Sequence, residues 1–263
     1  MESAHAGPDR LSVPDHSHID NVVAVMSGKG GVGKSSVAAL LASTLRKQGY
    51  SVGILDADIT GPSIPRLFSL RGVPKSSPEG MLPPQTPSGI PIMSINLLLA
   101  HEDDPVIWRG PLIARAVQQF WSEVVWGNLD YLVIDLPPGT GDSPLTVLQS
   151  LPLDGIVIVS SPQEMALMVI KKAIRMARSL QVPIIGLVEN MSGICCPHCG
   201  EIFPVFGDSR AASTCSEEGL RWLGNIPLDP VLASVSDQGR IEDYEVDFLE
   251  AIPDVLSDVK GGV

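Results

Sequence analysis

The chain has 263 residues, of which 44% are hydrophobic and 18% charged, and 18 basic against 30 acidic residues give a net charge of −12. That composition excludes a disordered chain, and the acidic balance argues against nucleic-acid phosphates and anionic lipid headgroups as partners. The polar N-terminus carries no secretory signal, no run of about 18 apolar residues is present to cross a membrane, and four cysteines, three of them within residues 195–199, fit a reducing cytoplasm better than a disulfide framework.

Residues 1–20, with Pro8, Pro14 and three histidines, read as a flexible polar arm, and 21–263 as one domain without internal repeats. NVVAVMS (21–27) is predicted as a strand running into glycines, and SSVAALLASTLRKQ (35–48) as a helix stopped by Gly49. SVGILDAD (51–58) is the next strand. The proline-rich stretch 72–91 reads as loop with room for a hairpin. PLIARAVQQFWSEV (111–124) and residues 163–180 carry helical patterns, whereas YLVIDLP (131–137), GIVIVSS (155–161) and VPIIGLVEN (182–190) read as strands. Residues 208–219 and 241–259 are predicted helices, the last interrupted near Pro253. Each strand is a nearly continuous apolar run, as expected when both faces of a parallel sheet are covered. The alternation predicts a doubly wound α/β fold of the P-loop type.

Between the first strand and helix stands GKGGVGKSS (28–36), which matches G-x-x-x-x-G-K-[ST]. Gly28, Gly30, Gly31 and Gly33, with Val32 between the last two, let backbone N–H groups turn toward phosphate oxygens, and the helix start at Ser35 and Ser36 adds its partial positive charge. Lys34 is expected on the β- and γ-phosphates and the Ser35 hydroxyl on Mg²⁺. Lys29, directly after the first glycine, is placed to project toward a second subunit and stabilise the transferring phosphoryl group, as an arginine finger does. Asp58 and Asp135 fall at strand ends, where doubly wound sheets hold ligands. Asp135 is placed to act on Mg²⁺ directly or through water. Asp58 is placed to orient or deprotonate the attacking water, with Asp56 supporting the metal's water shell. Asp142 reads as a helix cap.

SGKGGVGKSS, LDADITGPSIPRLF, RGP (109–111), QFW (119–121), DYLVIDLPPGTGD, SSPQEMAL, VENMSGICCPHCG and LGNIPLDP together resemble the Mrp/ApbC-type ATPases of the deviant Walker-A class, which also contains MinD, ParA and the nitrogenase iron protein. The resemblance runs from about Asn21 to Gly239. It implies a carrier that holds a 4Fe-4S cluster and passes it to apo-proteins, with slow ATP hydrolysis. It also implies that Lys29 is the intermolecular lysine, that Asp58 belongs to switch I and Asp135 opens switch II, that Asn190 and the PLDP turn (227–230) lie at the adenine, and that Cys196 and Cys199 bind the cluster. Two departures stand out. The first 20 residues hold no cysteine, and the helix after SPQE is apolar near Val169, where the resemblance implies an Asp.

Cys196 and Cys199 supply half of a four-thiolate site, and a two-fold axis through that patch would supply the rest from a second copy. The trans lysine requires the same homodimer. Four thiolates suit Zn²⁺ as well as a cluster, and the resemblance favours the cluster. Cys195 reads as a bystander or alternative ligand, Cys215 as a buried small hydrophobe, and His198 as facing outward. A ParA/MinD-like spatial organiser is the competing reading. The acidic C-terminus lacks the basic helix or surface that it needs.

Overall fold

The computed structural model describes residues 13–59, 61–99, 110–163, 166–196 and 198–261. Most of the predicted arm (1–12), Thr60, Arg109 of the RGP motif, Glu164 and Met165 of SSPQEMAL, and Pro197 lie outside the described residues.

Strand β1 (His18–Ser27) begins within the segment read as an arm, and Val13 before it packs on the core. Helix α1 (Lys34–Lys47) follows the glycine loop, then β2 (Val52–Asp56) and the single turn α2 (Ile64–Leu67). The proline-rich stretch holds a hairpin, β3 (Lys75–Ser77) with β4 (Gly80–Leu82), before β5 (Ile92–Ser94). Next come α3 (Gly110–Glu123), β6 (Asn128–Asp135), α4 (Asp142–Ser150), β7 (Gly155–Ser160) and α5 (Ala166–Ser179). The chain closes with β8 (Ile184–Cys195), β9 (Ile202–Phe203), α6 (Ala211–Glu218), β10 (Trp222–Leu228), α7 (Pro230–Asp237) and α8 (Ile252–Gly261).

The sheet order is β10-β8-β7-β1-β6-β2-β5, with every neighbouring pair parallel, and β9 adds antiparallel to the end of β8. Alternation along β1 separates two cores. Val22, Ala24 and Met26 face α3, α4 and α5, whereas Val23 and Val25 face α1 and the C-terminal segment. Strand side chains at i and i+2 share a face, so one apolar run serves both layers. Helix α1 is buried nearly all round, including Val37, Leu40, Leu41 and Leu45, because residues 241–256 cover its outer side.

The helix predicted over 241–259, with an interruption near Pro253, forms only in its last part. The segment makes two 3₁₀ turns, Ile241–Asp243 and Asp247–Ala251, before α8. Pro253 sits in the first turn of α8, where its missing N–H costs no intrahelical bond, so it opens this helix instead of interrupting it. Strand β10 and helix α7 carry no prediction. WLGNIPL contains Gly224 and Pro227, residues that weaken a strand signal, yet on a sheet edge a proline is tolerated.

Candidate functional site

The glycine loop leaves β1 at the C-terminal edge of the sheet and ends at Gly33, the N-cap of α1, whose φ of 78° is the left-handed conformation glycine adopts freely. A Cβ there would stand 2.1 Å from Asn190 Nδ2, so the loop can lie on β8 only with glycine at this position. Asn190 donates from Nδ2 to the Val32 carbonyl at 2.9 Å, and its Oδ1 accepts the Met191 N–H. The residue that the resemblance assigns to the adenine therefore braces the underside of the phosphate loop. At the other end, Val169 of α5 fills the space beside Gly28, where a Cβ would meet Val169 Cγ1 at 2.0 Å. The apolar Val169 side chain thus has a structural use against the loop.

Lys34 reaches from the first turn of α1 to a group of buried carboxylates. Its Nζ lies 2.6 Å from Asp135 Oδ1, 3.7 Å from Asp58 Oδ2 and 3.4 Å from Ser35 Oγ. The Ser35 hydroxyl donates to Asp135 Oδ2 at 2.5 Å. Asp56 lies behind them, fully buried, accepting from Ser94 Oγ at 3.0 Å and from the Asp58 N–H at 3.2 Å. Among the described residues, three largely buried carboxylates thus gather around the Lys34 ammonium. Burial pushes the Asp56 carboxyl well above its ordinary value of 3.8, and the Asp135 charge pushes the same way. Burial also raises Asp135, outweighing the opposing pull of Lys34 and the hydrogen bond from Ser35. This excess of hard oxygen donors over positive charge is the chemistry that a phosphate-bound divalent cation neutralises. Asp142 stands in the first turn of α4, as a helix start favours. The intervening turn packs on the loop, with the Gly139 N–H donating to the Ser27 carbonyl.

Lys29 does not project away from its own subunit. Its Nζ donates to Gln163 Oε1, in the turn between β7 and α5. Gln163 falls in the SSPQEMAL motif, but its pairing with Lys29 carried no local signal, because the two lie 134 residues apart.

Beyond Asn190, β8 leaves the regular sheet. Met191 has φ 60°, Gly193 φ 159°, and the pairing with β10 shifts register between Ile226 and Leu228. The strand then turns back as β9, and the cysteines occupy the tip. The Cys196 N–H donates to the Glu201 carbonyl and the Gly200 N–H to the Cys196 carbonyl, both at 2.9 Å. Backbone N–H groups of Cys199 and His198 point at the Cys196 sulfur, and these bonds, with the Cys199 thiol, pull the Cys196 thiol below its ordinary value. A thiol so held favours the thiolate, the form that binds metal. Cys195 and Cys199 are exposed, whereas Cys215 is buried in α6, its thiol pushed up to about 11 by burial and the nearby Glu189 charge. Among the described residues, no group of three or more His, Cys, Asp or Glu side chains could hold a metal ion. One chain therefore presents a two-thiol half-site among them.

The profile of the ParA group described as NUBPL iron-transfer P-loop NTPase matches residues 18–259. An iron-sulfur cluster carrier protein of Methanocaldococcus jannaschii is 48% identical over 225 residues, covering 85% of this chain and 78% of the relative. One from Clostridium perfringens is 44% identical over 238 residues, covering 88% and 84%. A nucleotide-binding protein of Archaeoglobus fulgidus, solved in complex with ADP and with cobalt, is 48% identical with a TM-score of 0.81, covering 89% of this chain and 93% of that one. Pyrococcus furiosus MinD, at 19% identity and a TM-score of 0.61 over 93% of this chain and all of that one, shares the fold. No described helix is long and apolar enough to cross a membrane. The glycine loop on its parallel sheet and the cysteine turn at the end of β8 thus lie in a chain that belongs to the iron-sulfur cluster carrier family of P-loop NTPases.

Proposed function

We propose that this chain is an ATP-binding and slowly ATP-hydrolysing cytoplasmic carrier that takes a 4Fe-4S cluster as cargo between two copies of itself and delivers it to apo-proteins. The observation that carries the reading is the paired thiols, Cys196 and Cys199, at the tip of a hairpin that projects past the sheet. Two ligands per chain are half of what a cluster or a tetrahedral metal needs, and two-fold symmetry supplies the other half. Apolar side chains flank the tip: Ile202 is 61% exposed and Phe203 65%. Val205 and Phe206 just beyond are also exposed, and apolar side chains left in water suit burial against a second copy.

In this reading the working domain includes β1 from His18 onward and so begins earlier than residue 21. Gly28 to Ser36 cradle the phosphates, with Lys34 on the β- and γ-phosphates. Ser35 and Asp135, with Asp58 through water, have the oxygen chemistry to hold Mg²⁺, which would neutralise charge on the β- and γ-phosphates. Asp58 orients the attacking water. Lys29 leaves Gln163 and completes the partner's site. Strand β8 links the two activities, because it braces the phosphate loop through Asn190 and runs into the turn that holds Cys199 and, six residues beyond Asn190, Cys196. At the strand rise that separation is at most about 20 Å.

Anaerobic reconstitution with iron and sulfide, followed by absorption spectroscopy, metal analysis and sedimentation, tests the proposal. The expected product is a dimer holding one cluster, with a visible charge-transfer band that Cys196→Ser and Cys199→Ser each remove. Zinc retained in preference to the cluster would establish the same half-site as a zinc-bridged metal chaperone. A full cluster on a single subunit would overturn the shared-site reading.

A further inference from the structure

A groove of about 720 Å³ lies at the β5 end of the sheet, formed by residues 62–73, the turn after β5 and the end of α7. Pro62, Leu70, Leu97 and Leu99 line its apolar part, and Arg66 and Arg71 stand on one wall. Both guanidinium groups are exposed, and neither makes a hydrogen bond or ion pair among the described residues. Arg178, Arg221 and Arg240 are matched with Glu218, Asp258 and Asp243, whereas Arg115 and Arg175, also exposed, share the unpaired state of Arg66 and Arg71 among the described residues without lining this groove. The lining holds one carboxylate, Asp237. What sets Arg66 and Arg71 apart is their place together beside an apolar trough, on a chain with 30 acidic and 18 basic residues.

The volume falls within the range of pockets that hold drug-sized ligands and exceeds what an inorganic anion fills. Leucine and proline walls would leave such an anion half-solvated, whereas a peptide bearing both carboxylates and an aliphatic side chain satisfies both parts of the groove. The wall begins at Pro62, just past Asp58, whose carbonyl accepts the Gly61 N–H. The groove is therefore continuous with the segment expected to sense the phosphate.

We propose that this groove docks an acidic, leucine-bearing segment of a partner protein. That the partner is a recipient of the cluster rests on the proposed function, whereas the groove's preference for such a segment does not.

The test uses the full chain and three labelled peptides that alternate leucine with glutamate, glutamine or lysine, with affinities read by fluorescence anisotropy. The glutamate peptide is expected to bind about tenfold more tightly than the glutamine peptide, as two partly exposed ion pairs would give, and the lysine peptide not to bind. Arg66→Glu with Arg71→Glu should remove that preference, and Arg66→Lys with Arg71→Lys should keep most of it, so a folding defect in the first variant does not decide the outcome. ATP turnover and cluster loading should be unchanged in the lysine variant. No preference for the acidic peptide, or one indifferent to the charge reversal, overturns the proposal. Displacement of the peptide by an equal concentration of inorganic phosphate would show an anion site only. Loss of self-association in the charge-reversed protein would assign the groove to a second copy. Failure of cluster loading alone would overturn the carrier reading and leave the docking result standing.

Discussion

Lys34 is one positive charge among Asp56, Asp58 and Asp135, and the burial of this group makes its protonation a matter of stability. Asp56 takes up a proton in the folded chain at higher pH than in the unfolded chain, since its carboxyl is held well above 3.8. The folded state thus binds more protons from pH 3.8 up to the raised value. Asp56's contribution is complete below that window and is lost as pH rises through it, by about 1.4 kcal/mol for each tenfold difference in proton affinity between the folded and unfolded chain. Denaturation of the wild type and Asp56→Asn, without nucleotide or magnesium, should show the wild type losing ground to the variant as pH rises. The amide can still accept the Asp58 N–H and can donate to Ser94. A difference that stays flat with pH would move the proton to Asp135, the other carboxyl raised by burial.

Strand β8 joins the two functional ends of the molecule, and its irregularity lies between them. Met191 holds a left-handed φ of 60° where the strand departs from β10. An L-residue there costs about 1–2 kcal/mol relative to glycine, and a β-branched one more. Met191→Gly should raise stability by about 1 kcal/mol in chemical denaturation, offset in part by the freer unfolded chain, and Met191→Val should lower it by at least as much. Opposite shifts would place the constraint in packing of the methionine side chain.

The same contrast explains what could be read from the sequence. Runs such as VVAVMS and YLVID announce themselves because a strand covered on both faces needs apolar residues throughout. The phosphate loop is legible because its chemistry depends on adjacent residues, Gly28 to Ser36. β10 hides behind Gly224 and Pro227, which a sheet edge accommodates. The 3₁₀ turns at 241–251 keep helix-like apolar spacing without a continuous helix, because they mould to the outer side of α1. Gln163 on Lys29 and Asn190 under Val32 are meetings of distant segments, and no local pattern encodes them.

At the scale of the assembly, the decisive question is whose phosphate Lys29 serves. In this structure it is held by Gln163 of its own chain, so a trans role requires exchanging that bond for one across the interface. Two inactive variants separate the possibilities. Lys29→Ala keeps its own phosphate cradle and lacks the projecting amine, whereas Lys34→Ala keeps the amine and has a defective cradle. In a mixed dimer with Lys29 acting in trans, the Lys29→Ala subunit receives the missing amine from its partner, and one of the two sites is complete. Random pairing at equal concentrations makes half of the dimers mixed, so turnover should recover to about a quarter of the wild-type value. Recovery should also follow dimer concentration on dilution. If Lys29 acts within its own chain, every site in the mixture lacks one of the two lysines and turnover stays at the level of the separate variants. The same mixture, loaded with iron and sulfide, should still take up a cluster, because both variants keep Cys196 and Cys199. Hydrolysis lost in each variant, regained on mixing, with cluster uptake intact throughout, would place both shared sites on one dimer.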